Sequence, residues 1–357
     1  MKENEHKDII REDLNEKRPV ITLQWHLTNA CPNHCRHCYM EEKGHILSLE
    51  DSKRVIDDFK SLLKRWSCKG RIHFTGGDPL LYPSFFELLG YARAQIPDMI
   101  IGILGNPELL TEELVEKLKE QGVYSYQMSL DGLEKTHDYL RYSGSFQNTI
   151  KKIRLLQRYK MRTVIMNTVS KINFKEIPKL IDLVVEEIGV ELFGFHRFVP
   201  IGQGKEIKEA ASFSPLEYRD FLSVLDDKYQ EHKGKDTFFG GGEPLWVLLE
   251  WEKGNCHKPS KKEDLIWSGC SIGCSEVCIL EDGTVLACRR LGIPIGRVPD
   301  QKIRDIFILS ETLNSLRCVE KLEKCCDCEL LPYCRGCRAI AYATKGDYFA
   351  SDPQCWK

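Results

Sequence analysis

Along the first two hundred residues, short runs of β-branched and aromatic side chains alternate with longer stretches in which apolar residues recur every three or four positions. The runs are Ile21–Leu27, Arg71–Thr75, Met99–Leu104, Tyr124–Leu130, Thr163–Val169 and Val190–Phe195, and each ends near Gly, Asn or Asp. Their length and composition predict strands. Between them, Ser48-Leu-Glu-Asp51 reads as a capping box ahead of Val55, Ile56, Phe59, Leu62 and Leu63, which share one helical face. Thr111 caps a stretch carrying Leu114, Val115 and Leu118 that stops at Gly122, Ser145 opens a third, and Phe174–Ile188 supplies a fourth. Six strands alternating with helices predict parallel βα units, either an open (β/α)6 partial barrel of TIM type or a doubly wound sheet. In both, chemistry collects at the carboxyl ends of the strands.

After residue 200 the pattern changes. Residues 201–265 read as connecting helices and loops, including Pro215–Tyr229 and Pro244–Trp251, and residues 266–357 as a small turn-rich domain. One hairpin is predicted there, Glu276–Leu280 and Thr284–Ala287 about the turn Glu281-Asp282-Gly283. Residues 1–19 form a charged segment ahead of the 20–200 barrel. They lack the apolar core of a secretory signal, and about twenty residues are too few for a fused peptide-binding domain. No apolar run is long enough to span a bilayer. A net charge of −2 with no dense basic block gives no nucleic-acid footprint. A cytoplasmic location without membrane or nucleic-acid partners is the expectation.

Sixteen cysteines change the picture. In a reducing compartment they argue for metal ligation rather than a disulfide scaffold. Cys31, Cys35 and Cys38 are spaced C-x3-C-x2-C directly after the first strand. Three thiolates can hold three corners of a four-iron–four-sulfur cluster and leave one iron open. Zinc would need a fourth ligand, for which only His34 or His37 is near in sequence. One strand later comes Gly76-Gly77-Asp78-Pro79, where two glycines let backbone approach a ligand. Gly241-Gly242-Glu243-Pro244 repeats the pattern, but beyond the last predicted barrel strand, and reads as a loop entering a helix.

The cysteine triplet and the Gly-Gly-Asp-Pro turn together resemble the radical S-adenosylmethionine (SAM) superfamily. The C-terminal spacing resembles its SPASM extension: Cys270, Gly283 and Cys288, then Cys325-x2-Cys328-x5-Cys334-x2-Cys337, then Cys355. It departs at the last internal step, which has two residues where the family has three. The resemblance implies one SAM-binding 4Fe-4S cluster on Cys31, Cys35 and Cys38, and two auxiliary clusters. The first would use Cys288, Cys337 and two of Cys270, Cys274 and Cys278, with Cys270 and Cys274 preferred. The second would use Cys325, Cys328, Cys334 and Cys355. Cys318 and Cys326 read as spares, and Cys68 and Cys256 as ordinary core or surface residues. For SAM the resemblance implies contacts from His37, Gly76, Gly77, Asp78, Pro79, Ser129, Asp131 and Arg141, with Asn167 and Arg197 facing the same end of the barrel.

The implied activity is reductive cleavage of SAM to a 5′-deoxyadenosyl radical that abstracts hydrogen from a substrate. A ribosomally made peptide or protein is the leading reading, with a separate peptide-recognition protein and a flavodoxin or ferredoxin as electron donor. Haem-pathway decarboxylases share the architecture. Sulfatase-maturing enzymes do too, but resemble one another in an Asp where this chain has Arg289. The competing class is a non-catalytic iron–sulfur electron carrier, for which the Gly-Gly-Asp-Pro turn would have no use. The zinc-ribbon alternative uses the hooks Cys325/Cys328 and Cys334/Cys337 and leaves Cys270, Cys288 and Cys355 unexplained.

Overall fold

In the first strand, Thr22 and Gln24 alternate with Leu23 and Trp25, and this alternation recurs around the molecule and divides a polar lumen from an apolar outer layer. The computed structural model describes residues 18–40, 45–240, 242–255 and 269–357. The charged segment up to residue 17, Gly241 of the second Gly-Gly pair and Cys256 lie outside the described residues, as does most of the expected junction around residue 265.

The six predicted strands form: β1 Val20–His26, β2 Lys69–Thr75, β3 Ile100–Leu104, β4 Ser125–Ser129, β5 Arg162–Val169 and β6 Leu192–Arg197. They pair in parallel in chain order. Leu23, Trp25, Ile72, Phe74, Tyr126 and Met128 are buried in the core, while Gln24, His73, Gln127 and His196 line the lumen. Period-two alternation produces this division, since successive side chains leave opposite faces of a strand. Between β1 and β2 the helix Leu49–Trp66 starts at Ser48, whose side chain accepts from the Asp51 N–H, and buries Val55, Ile56, Phe59, Leu62 and Leu63 as the pattern predicts.

The sheet grows at both ends, reaching ten strands. Beyond β6 a short β7, Phe238–Gly240, pairs in parallel with β6. The expected hairpin forms as β8 Glu276–Ile279 and β9 Thr284–Leu286, with β10 Pro294–Arg297 beyond it. Strand β8 pairs in parallel with β1, from Thr22 opposite Glu276 to Trp25 opposite Ile279. The cysteine-rich segment is thus continuous with the barrel sheet. The segment Phe174–Ile188 is a 3-10 turn, an α-helix Ile177–Asp182 and a π-helical stretch Leu183–Ile188 ending at left-handed Gly189.

Candidate active site

Three loops meet where β1, β2 and β3 end. The backbone N–H of Gly77 donates to the Thr28 carbonyl at 2.7 Å, and that of Asp78 to the Ala30 carbonyl at 2.8 Å. The Gly-Gly-Asp-Pro turn is therefore stitched to the residues just before Cys31. Gly76 has φ +148°, and a Cβ there would overlap the Thr28 carbonyl oxygen. A Cβ on Gly77 would overlap the Ala30 carbonyl oxygen and come within 2.6 Å of that of Asn29. Both glycines are needed for loop-to-loop contact, in addition to the close approach to a ligand expected of them.

Asp78 is fully buried and turned away from the cavity. Its carboxylate accepts from the Leu80 N–H at 2.9 Å, capping the short helix Pro79–Leu81, and from the Asn106 N–H at 3.1 Å. Burial pushes its carboxyl up. Sequence reasoning missed Asn106: its Nδ2 donates to the Gly77 carbonyl at 3.2 Å and points to Cys31 Sγ at 3.5 Å. The signal was present, since Asn106 closely follows β3 on the face where the other strands place theirs.

On the far side of the triplet stands a buried charge cluster. Arg141 Nε donates to Asp131 Oδ2 at 2.7 Å, and its Nη1 points to Cys35 Sγ at 3.8 Å. His37 Nε2 lies 3.4 Å from the same Asp131 oxygen, and the Thr168 N–H donates to the other at 2.8 Å. Burial alone would raise the Asp131 carboxyl, but Arg141 and His37 outweigh it and hold it well below the usual carboxylate range. Asp131 positions Arg141 and His37 from behind. Asn167 donates to the Leu130 carbonyl at 2.7 Å, while its buried Oδ1 has no partner, as does His37 Nδ1.

Of the expected SAM contacts, His37, Gly76, Gly77, Ser129, Arg141, Asn167 and Arg197 line one cavity, whereas Asp78, Pro79 and Asp131 lie behind its wall. Arg197 is committed elsewhere. Its guanidinium bonds Glu243 at 2.9 Å, Asp352 at 2.8 and 3.0 Å and Gln354 at 2.7 Å. The second Gly-Gly-Glu-Pro thus supplies a carboxylate to Arg197, and Gly242 has open space around it. It enters the helix Trp246–Glu252 as expected, although β7 precedes it unforeseen.

The cavity measures about 1660 Å³ and runs from Cys31, Cys35 and Cys38 to Cys270, Cys288 and Cys337. The structure leaves Cys274 outside this lining, exposed beside Arg317. Cys278, on β8, packs with Leu280 and Leu286. A second, small cavity of about 20 Å³ is lined by Cys325, Cys328, Cys334 and Cys355, the four residues that the family resemblance grouped. Asp352 links the two sets, because it accepts from the Cys337 N–H at 2.7 Å while holding Arg197.

Do these donors fit iron–sulfur clusters? Burial pushes the Cys31 thiol up to about 11 and those of Cys270 and Cys334 up to about 12, so thiolates there need a strong positive partner. Tetrahedral zinc draws its sulfurs to about 3.8 Å apart, given a Zn–S bond of about 2.3 Å. Among the described residues no three cysteine sulfurs lie within 4.8 Å of one another. A cubane takes each thiolate at a different corner and does not need the sulfurs drawn that close. The unpartnered Asn167 Oδ1 and His37 Nδ1 fit a polar ligand beside it.

The model of the radical SAM superfamily matches residues 25–184. The AdoMet-dependent heme synthase of Methanosarcina barkeri is 30% identical over 343 residues, covering 93% of this chain and 95% of that protein. The sporulation killing factor maturation protein SkfB of Bacillus subtilis is 26% identical over 85% of this chain and 68% of its own length. Among solved structures, Streptococcus suis SuiB bound to precursor peptide SuiA superposes with a TM-score of 0.75 at 18% identity, covering 99% of this chain and 80% of that one. With the family's model lying over the strands that carry the triplet and a relative matched along nearly its whole length, the chain belongs to the radical SAM superfamily.

Proposed function

We propose that this enzyme cleaves SAM at the Cys31/Cys35/Cys38 centre and uses the radical for oxidative decarboxylation of a porphyrin-type carboxylate, a haem-pathway reaction. The observation that carries this reading is the single cavity joining that triplet to Cys270, Cys288 and Cys337. At about 1660 Å³ it exceeds the roughly 300–1,000 Å³ of a small-molecule site and can house a bulky second substrate beside SAM. When bound, the clusters supply the electron that cleaves SAM and an acceptor for the electron released by the substrate. Hydrogen abstraction next to the carboxylate-bearing carbon, followed by loss of carbon dioxide and one electron, leaves a carbon–carbon double bond. The chain's own part is to fix the cluster loop through Gly77 and Asp78, to orient SAM through Arg141 and Asn167, and to shield the lumen from water. Likeness to a heme synthase along nearly the whole chain supports this substrate.

A ribosomally made peptide is the second reading, favoured by the fold shared with peptide-bound SuiB and by the similarity to SkfB. The test is anaerobic turnover with SAM, dithionite and iron coproporphyrin III. The expected result is 5′-deoxyadenosine together with porphyrin products lighter by carbon dioxide and hydrogen. SAM cleavage with the porphyrin unchanged would discard the porphyrin reading and leave the peptide one.

A further inference from the structure

Among the described residues five arginines line the lumen, of which Arg36 donates to the Tyr139 carbonyl at 2.9 Å and Arg290 to the Arg197 carbonyl at 3.5 Å. Arg197 is held by the carboxylates of Glu243 and Asp352, and Arg141 gives only its Nε to Asp131. Arg289, immediately after Cys288, meets an aromatic ring and a thioether instead of a carboxylate. Its Nη2 reaches only the Tyr39 carbonyl and the Met40 sulfur, each at 3.3 Å, and its guanidinium stacks 4.8 Å from the Tyr39 ring centre. Its Nε is buried without any partner, and among the described residues no carboxylate lies within ion-pair distance of it. It lines the cavity on the far side of the triplet from Arg141, held between the loop that leaves Cys38 and the one that leaves β9.

A partly desolvated guanidinium with an unused donor is costly unless an anion completes it. A planar fork on an aromatic ring suits a carboxylate, which accepts two parallel N–H bonds. From its place between the two cysteine sets, Arg289 faces whatever occupies the middle of the lumen, while Arg141, beside Cys35, serves the SAM end. We propose that Arg289 is the specificity-determining receptor for a carboxylate of the substrate, held between the radical centre and the Cys270/Cys288/Cys337 centre. This deepens the decarboxylation reading and rests on it.

The test is anaerobic calorimetry on the reconstituted, iron-counted enzyme, with iron coproporphyrin III and, separately, SAM as titrants. Arg289→Gln should raise the porphyrin dissociation constant about tenfold or more, the loss expected of a hydrogen bond to a charged group, and leave SAM affinity where it was. Arg289→Lys should recover part of it. The porphyrin tetramethyl ester should bind wild type no better than the free acid binds Arg289→Gln, and the variant should not distinguish acid from ester. Wild-type affinity of Arg289→Gln for the acid would overturn the assignment. So would a loss confined to SAM, which would give Arg289 to the SAM carboxylate instead. If wild type itself binds no porphyrin, the decarboxylation reading falls and the inference with it. Wild-type binding that ignores residue 289 sinks the inference alone.

Discussion

Replacing Gly77 with Ala adds one methyl group to the tightest loop contact in the site. The new Cβ would overlap the Ala30 carbonyl oxygen and crowd that of Asn29, both backbone atoms with no rotamer in which to escape. Relief requires the Gly76–Asp78 turn and the Thr28–Ala30 loop to part, which breaks the Gly77–Thr28 and Asp78–Ala30 hydrogen bonds. Each contributes about 1 kcal/mol, so with residual strain the cost is about 2–3 kcal/mol. At ~2–4 °C per kcal/mol in a domain of moderate size, the melting temperature should fall by about 5 °C or more. Because the displaced loop leads straight into Cys31, cluster loading should drop along with SAM affinity. The assay is anaerobic reconstitution, iron and sulfide analysis, a thermal melt and SAM calorimetry on one preparation. Gly242→Ala, where nothing lies within 4 Å of the new Cβ, should match wild type throughout. If Gly77→Ala kept its full iron, melting temperature and SAM affinity, the stitching of the two loops would not be what the glycine is for.

Two further outcomes are expected. Arg197→Met strands Glu243 and Asp352 in the interior, and breaking a buried pair in this way costs about 3–5 kcal/mol at neutral pH. In wild type, burial would raise Asp352, but Arg197 outweighs it and holds it below its usual value, so its contribution disappears only as pH falls through the acid range. Without Arg197, burial is opposed only by the backbone N–H groups of Cys337 and Gln354, and the folded-state value is expected to rise above the unfolded one. The variant should therefore gain stability relative to wild type between pH 7 and 5, measured by denaturant unfolding; a parallel pH profile would refute the network. Alanine at Cys31, Cys35 and Cys38 together should abolish 5′-deoxyadenosine release and remove about four of roughly twelve irons, whereas stoichiometric zinc in wild type would favour the ribbon alternative.

How much of this was legible in the residues depended on range. Strand positions and the Ser48 and Thr111 caps follow from local periodicity and side-chain chemistry, and they were readable to within about two residues. The grouping of Cys325, Cys328, Cys334 and Cys355 came from the family resemblance, and the four line one small cavity. The pairing of β8 with β1 was not readable, because hydrogen bonding between residues about 250 apart leaves no local trace. Short β7 carries too few positions for alternation to register. Roles of charged residues were the least readable. Asp131 and Asp78 were expected at SAM and instead lie behind the cavity wall, bracing Arg141 and Asn106, and Arg197 answers to Asp352, 155 positions away. Residue type announces a charge; only the folded neighbourhood says whether that charge is already satisfied.

The β8–β1 pairing also sets a clock on biosynthesis. Strand β1 and the three thiols that follow it leave the ribosome early, yet the strand that covers its open edge begins only at Glu276. At about 5–20 residues per second, that edge waits about 12–50 seconds for its partner. For that interval the nascent chain presents an unpaired parallel strand beside reactive cysteines, a state prone to aggregation and oxidation alike. Metal delivery and chaperone protection must therefore be judged against the unfinished chain as well as the finished enzyme.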